Sequence, residues 1–461
     1  MDLTAYKSVY FLGIGGIGMS AIARYFNQSG ILVSGYDKTR TPLTDQLIAE
    51  GMDIHFEENP ELIPDRPGLV VYTPAIPQDS KELAFIISKK YNLRKRSEVL
   101  GMITHGTKTI AVAGTHGKTT TTALIAHILM NAGKGMVGFL GGVSKNYFSN
   151  ILTLSFSTHN SANPPAYYVV EADEFDRSFL QLFPDIAVIT STDADHLDIY
   201  KNLKEVRQSF QEFISQIQSG GKLILKKGTK IRTGISDHFK TNTYSVAVNA
   251  DFFPICLKLE NGKYNFDLVK PGGKIKNLTL GLPGMFNLEN AVAAMAVAVS
   301  LGIPEQVIAD SLASFEGVER RFDFQVVRDD FVYIDDYAHH PEELKACIRA
   351  VREIYPKKKV TGIFQPHLFS RTRDFADEFA RSLELLDELI LLEIYPAREN
   401  PIPGVDSAML LNKVNLKKKI LCTKAGLLTE LKTRQPEVLL TMGAGDIDQL
   451  VAPIKELYTV R

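Results

Sequence analysis

The chain has 461 residues, which at roughly 150 residues per compact unit predicts about three units rather than one. Apolar residues make up 45% and charged residues 23%, ordinary values for domains that bury sizeable cores, so bulk disorder is excluded. With 52 basic against 53 acidic residues the formal net charge is -1. No global field then favours nucleic acid, anionic lipid or an acidic partner, and any anion site must be local.

No run approaches the roughly 18 uninterrupted apolar residues of a membrane span, and the stretch from Met1 to Tyr6 lacks a basic segment followed by an apolar one. A cytoplasmic protein without a membrane partner is expected. Cys256, Cys347 and Cys422 are odd in number and far apart, against a disulfide framework or a zinc cluster; buried thiols are expected.

Apolar runs alternate with helical patterns as βαβ units require. Val9 to Leu12 reads as a buried strand, Met19 to Ser29 as a helix, and Ile31 to Val33 and Leu69 to Tyr72 as further strands. Between strand and helix lie Gly13, Gly15, Gly16 and Gly18, the context of a dinucleotide fingerprint, with Asp37 placed to meet a ribose hydroxyl after the second strand. The motif reports a diphosphate beside a nucleoside, and a nucleotide-sugar satisfies it as well as a nicotinamide cofactor; a glycine turn with no ligand is the bland alternative.

A second set begins with the strand Thr109 to Ala113 and the helix Thr120 to Ala132, and continues with strands at Tyr167 to Val170, Ile186 to Ile189 and Leu223 to Leu225. Gly114, Thr115, His116, Gly117, Lys118, Thr119 and Thr120 form a turn resembling a P-loop. Lys118 supplies a cation for phosphates and Thr119 a magnesium ligand, although Val112 holds the place of the usual first glycine. Glu171, Asp173, Glu174 and Asp176 collect after one strand, and Asp193, Asp195 and His196 after its neighbour. Acids at that edge suit Mg²⁺, and N-cap or turn chemistry is the dull reading. Gly228 to Gly281 suits an antiparallel insertion, and Asn287 and Asn290 share one face of a long apolar helix.

A third set contains strands at Val332 to Ile334, Val360 to Phe364, Leu389 to Leu392 and Val438 to Leu440, with helices at Glu342 to Tyr355 and Arg373 to Leu386. Arg320 and Arg321 stand at its entrance. Asp335, Asp336, His339 and His340 follow one strand, and His367, Arg371 and Arg373 follow the next. Boundaries fall near His105 and Gly317.

Taken in order, the segments 11–20, 113–120, 171–174, 193–196, 286–290, 320–323, 335–341 and 364–367 resemble the Mur ligases of bacterial cell-wall synthesis over essentially the whole chain. The resemblance implies an α/β protein of three domains: a Rossmann-like one for a UDP-sugar (1–105), a central P-loop ATPase-type one (106–316), and a Rossmann-like one for the amino acid (317–461). It implies ATP, UDP-N-acetylmuramate and L-alanine as substrates, Mg²⁺ as cofactor and an acyl phosphate between them, with a recycled peptide as the alternative acceptor. A bacterial cytoplasmic monomer or weak homodimer is expected.

By the same resemblance Gly13, Gly15, Gly16, Ile17, Gly18, Met19, Ser20, Asp37 and Thr73 would bind the UDP-sugar. Residues Gly114 to Thr120 with Asn287, Asn290, Arg321 and Asp336 would bind ATP, and Thr119, Glu171 and His196 the metal. Lys118, His196, Arg321 and His339 would be catalytic, and His339, Arg371 and Arg373 would face the amino acid or product. The chain departs from many relatives in carrying Leu368, where they have arginine after the histidine; Arg371 or Arg373 would compensate.

Overall fold

The computed structural model describes residues 6–154, 166–193, 200, 203–231, 238–397 and 399–459. They form two compact units, one of Met1–Gly281 with Asn287–Glu316, the other of Leu282–Phe286 with Gly317–Arg461.

The first unit opens with a five-stranded parallel sheet in the order Asp53–His55, Leu32–Tyr36, Ser8–Leu12, Leu69–Tyr72, Leu93–Lys95. The order reverses direction at Ser8–Leu12, so a crevice opens beyond its carboxyl end, where doubly wound sheets bind ligands. The chain turns there through Gly13 to Gly16 into the helix Ile17–Gln28.

The same unit holds a seven-stranded sheet in the order Phe239–Tyr244, Gly221–Lys226, Ile186–Ile189, Thr109–Ala113, Tyr167–Ala172, Met136–Ser144, Ser149–Leu154. All neighbours are parallel except the final hairpin. The two sheets share one apolar cluster that runs from Val9 and Phe11 through Phe26 to Tyr168, Val170 and Ile189, and the Tyr25 ring lies 5.6 Å from that of Phe139. Asn150, wholly buried, reaches from the hairpin to the first helix: its Nδ2 donates to Ile17 O (2.7 Å) and Ser20 Oγ (2.8 Å), and its Oδ1 accepts from Arg24.

Strands Phe253–Glu260, Lys263–Lys270 and Gly273–Leu280 form the antiparallel insertion. It is shorter than expected from Gly228 to Gly281, because Phe239–Tyr244 pairs in parallel with Gly221–Lys226 in the large sheet. The Met136–Leu154 hairpin escaped the sequence reading, since Gly138, Gly141 and Gly142 dilute its apolar run. The expectation of three buried thiols holds for Cys347 alone. Cys256 is exposed on the edge strand Phe253–Glu260, where the backbone turns to positive φ at a register shift, and Cys422 is half-buried.

The second unit contains six strands in the order Asp323–Val327, Val332–Asp336, Val438–Met442, Val360–Phe364, Glu388–Leu391, Lys419–Leu421, parallel except for the first pair. The helix expected from Arg373 to Leu386 is two helices, Phe369–Asp374 and Ala376–Leu383. Phe375 between them leaves helical geometry (φ -117°, ψ 21°), and its ring packs at 5.0 Å from His340. Among the described residues no helix is long and apolar enough to cross a membrane.

Candidate active site

Three neighbouring parallel strands of the large sheet, Thr109–Ala113, Tyr167–Ala172 and Ile186–Ile189, end at one edge. The loop Gly114 to Gly117 leaves the first, and the helix Lys118–Asn131 starts after Gly117, which takes left-handed geometry (φ +82°) and gives the helix no side-chain cap. The residues after Ile189 clamp this loop. Ser191 Oγ accepts from His116 N (2.8 Å) and bonds Thr115 Oγ1 (2.7 Å), Thr190 Oγ1 donates to His116 O (2.5 Å), and Thr115 Oγ1 accepts from Asp193 N (3.2 Å). Asn290 Oδ1 lies directly over the Gly117 α-carbon. Thr190 and Ser191 were missed from sequence because hydroxyl residues at a strand end carry no distinctive signal.

Lys118 is anchored on both sides: Nζ donates to Gly114 O (2.6 Å) and to Glu174, at 2.9 Å from Oε1 and 2.8 Å from Oε2. Burial alone would push the ammonium's pKa down, but the carboxylates of Glu174, Asp173 and Glu171 outweigh it and hold Lys118 above the ordinary lysine value, so it stays charged. Glu174 is itself held by its carbonyl, which accepts from Tyr200 Oη at 2.6 Å. Its pairing with Lys118 was not foreseen, since nothing in sequence separates it from Asp173 and Asp176.

Glu171 projects from the strand Tyr167–Ala172 toward Met136–Ser144. Its Oε2 is buried without a hydrogen-bond partner, and the carboxyl group fills the space where Gly141 would carry a Cβ. An uncompensated carboxylate oxygen beside a phosphate loop has the chemistry of a Mg²⁺ ligand, because this ion takes one or two carboxylates together with substrate phosphates. Among the described residues no three His, Cys, Asp or Glu side chains form a metal cluster. His196 lies outside the described residues.

At the first sheet, Gly15 N donates to Asp37 Oδ2 at 2.8 Å, so Asp37 braces the glycine loop itself. Thr73 flanks Gly13 on the opposite side. Gly16 provides no side-chain cap for the helix that begins at Ile17.

In the second unit, Asp336 is buried, with its oxygens accepting from Phe322 N and Ala338 N, each at 2.7 Å. Burial raises its pKa to about 7, with Arg321 opposing the shift. Arg321 lies 4.7 Å over the Tyr337 ring, and His339 is 5.3 Å from Tyr337 and 6.0 Å from His367. Arg320, by contrast, ties down structure: it bonds Asp335 Oδ2 (3.1 Å) and Gly443 O (2.6 Å). Leu368 holds φ +71° and ψ 134°, backbone that L-residues rarely adopt. Arg371 is buried three residues on, whereas Arg373 points outward, bonded to Asp374 at 2.7 Å.

The chain matches three family descriptions in succession: "Mur ligase family, catalytic domain" over residues 8–108, "Mur ligase middle domain" over 112–298 and "Mur ligase, glutamate ligase domain" over 320–445. It is 49% identical over 460 residues, 99% of both chains, to the UDP-N-acetylmuramate--L-alanine ligase of Flavobacterium psychrophilum. The crystal structure of UDP-N-acetylmuramate-alanine ligase from Thermotoga maritima superposes with a TM-score of 0.83 at 27% identity, covering 98% of this chain and 99% of that one. A murein peptide ligase from Psychrobacter arcticus shares the fold, with a TM-score of 0.75 at 22% identity and 98% coverage of each chain. With three successive family matches and a relative 49% identical over nearly its whole length, the chain belongs to the Mur ligase family of ATP-dependent ligases.

Proposed function

We propose that this protein joins L-alanine to the lactyl carboxylate of UDP-N-acetylmuramate with hydrolysis of ATP to ADP and phosphate, a step of peptidoglycan precursor synthesis. The observation that carries this reading is near-complete coverage at 49% identity with a ligase of that name.

A carboxylate resists an amine because it has no good leaving group, and phosphorylation supplies one. The substrate carboxylate attacks the γ-phosphorus, giving an acyl phosphate and ADP. The amine of L-alanine attacks the carbonyl carbon, and the tetrahedral adduct collapses to amide and phosphate. Lys118, kept charged by Glu174, moves from that carboxylate onto the ATP phosphates and offsets the charge of two approaching anions. The N–H groups of the Gly114 to Thr120 loop cradle the same phosphates. Thr119 and Glu171, with His196, would hold Mg²⁺, which when bound neutralises phosphate charge.

Asn287, Asn290, Arg321 and Asp336 are the remaining nucleotide contacts in this reading, and Gly13 to Ser20 with Asp37 and Thr73 hold the UDP-sugar. His339 is a candidate acceptor of the amine proton. Its Nδ1 donates to Tyr337 O (3.0 Å), which leaves Nε2 as the basic atom, while Arg371 faces the amino acid or product carboxylate. The domains correspond to 1–105, 106–316 and 317–461.

The test is phosphate release from ATP and Mg²⁺ with UDP-N-acetylmuramate and, in turn, no acceptor, L-alanine, glycine, L-serine and a muropeptide-type tripeptide, with the product weighed by mass spectrometry. Release that needs both UDP-sugar and L-alanine, with one alanyl residue added, is expected. Release with the tripeptide alone would overturn the reading in favour of a peptide-adding ligase.

A further inference from the structure

One side chain touches both the glycine loop of the first sheet and the acidic edge of the second. Arg96 opens the helix Arg96–Thr104, and its Nη2 donates to Asp173 Oδ2 at 3.2 Å. Its Nη1 lies only 2.6 Å from where Gly18 would carry a Cβ, with Cζ at 3.3 Å. The guanidinium therefore rests on the bare face of the first turn of Ile17–Gln28, a position that any side chain at residue 18 would deny it.

That turn needs a cation. Ile17 and Gly18 expose the first N–H groups of an uncapped helix, which have no intrahelical acceptor, but the neighbouring Gly15 N–H already serves the Asp37 carboxylate. A diphosphate arriving there meets two N–H donors and a fixed negative charge. The segment from Gly13 to Ser20 contains no lysine or arginine. Arg24, further along the helix, is held by Glu50, Gln46 and Asn150, and Lys95 is paired with Asp176 at 3.1 Å. Arg96, by contrast, lies against the first turn of that helix, at Gly18.

We propose that Arg96 is a binding residue for the diphosphate of the UDP-sugar, with its fork divided between that diphosphate and Asp173. This rests on the reading of the glycine loop given above. Asp173 is followed directly by Glu174, the partner of Lys118, so two consecutive carboxylates hold the cation of each phosphate site. Guanidinium suits this division because its donors form a rigid planar fork, which an ammonium lacks.

The experiment is calorimetric titration of UDP into the full chain and into the variants Arg96→Gln, Arg96→Lys and Lys95→Gln, followed by steady-state kinetics. The unaltered protein is expected to bind UDP. Arg96→Gln should weaken binding by roughly 10- to 100-fold, Arg96→Lys should fall between, and Lys95→Gln should stay within about twofold, since it cuts a neighbouring ion pair without touching the loop. In turnover, the KM for UDP-N-acetylmuramate should rise by a similar factor in Arg96→Gln while the KM for ATP holds. UDP binding by Arg96→Gln at the parent's affinity would overturn the assignment, as would an equal loss in Lys95→Gln, which would mark a general effect of the domain seam. No UDP binding by the unaltered protein would overturn the glycine-loop reading itself.

Discussion

Replacing Glu174 by glutamine keeps its volume and removes the charge that holds Lys118. The two side chains are 1% and 12% exposed, so the substitution strands an ammonium in a nearly dry site. Removing one partner of a buried pair typically costs about 3–5 kcal/mol. Asp173 and Glu171 remain near enough to favour the charged lysine, which places the expected loss at the lower end, about 3 kcal/mol. At roughly 2–4 °C per kcal/mol for a unit of this class, the melting temperature should fall by about 6–12 °C. Nucleotide should then act differently on the two proteins. In the parent, ATP must draw Lys118 away from Glu174; in the variant, its phosphates supply the missing negative charge, so ATP with Mg²⁺ should raise the variant's melting temperature by more than the parent's. Scanning calorimetry of both proteins with and without nucleotide measures this. A variant that melts within about 2 °C of the parent, or gains no more from ATP, would refute the view that Glu174 stands in for phosphate.

Gly141→Ala places a methyl group on the Glu171 carboxyl. The Mg²⁺ concentration for half-maximal phosphate release should rise by about 10- to 100-fold with circular dichroism unchanged, and an unaltered magnesium titration would remove Glu171 from the metal site. Asp336 has a folded pKa of about 7, against about 3.9 unfolded. The folded state therefore binds more protons between these values, and stability falls as pH rises from about 4 to about 7, by up to about 4 kcal/mol, then levels. Asp336→Asn lacks this loss, so the parent's advantage in melting temperature over the variant should shrink between pH 5 and pH 8; a constant difference would contradict it. Asn150→Ala deletes three hydrogen bonds to the first helix, two of them fully buried, and should cost about 2–3 kcal/mol, read by denaturant titration, with a loss under about 0.5 kcal/mol counting against the hairpin as a clamp on that helix.

Much of the fold was legible in the sequence because parallel strands buried on both faces read as apolar runs, as at Ile110 to Ala113 and Ile186 to Ile189, and because turn residues at their ends punctuate them. The Met136–Leu154 hairpin was hidden by its glycines, one of which, Gly141, is needed because the Glu171 carboxyl occupies the place of its Cβ. The break at Phe375 was hidden because the segment keeps helical periodicity on both sides. Only the ring's seat on His340 shows why the chain turns there.

For the site, residue types and their spacing were enough to give the chemical inventory and the edge on which it stands: a lysine and threonine after a glycine turn, carboxylates after a later strand, and a glycine fingerprint after the first. Local chemistry carries these, since a phosphate loop must follow a strand and open a helix whatever surrounds it. The tertiary structure alone decided which carboxylate does what. Glu171, Asp173 and Glu174 lie within four residues, yet one keeps a buried oxygen without a hydrogen-bond partner, one meets Arg96 across 77 positions and one takes Lys118 across 56. Spacing cannot sort them, because a pairing depends on which strands are neighbours and which side chains share a dry pocket, and those are properties of the assembled sheets.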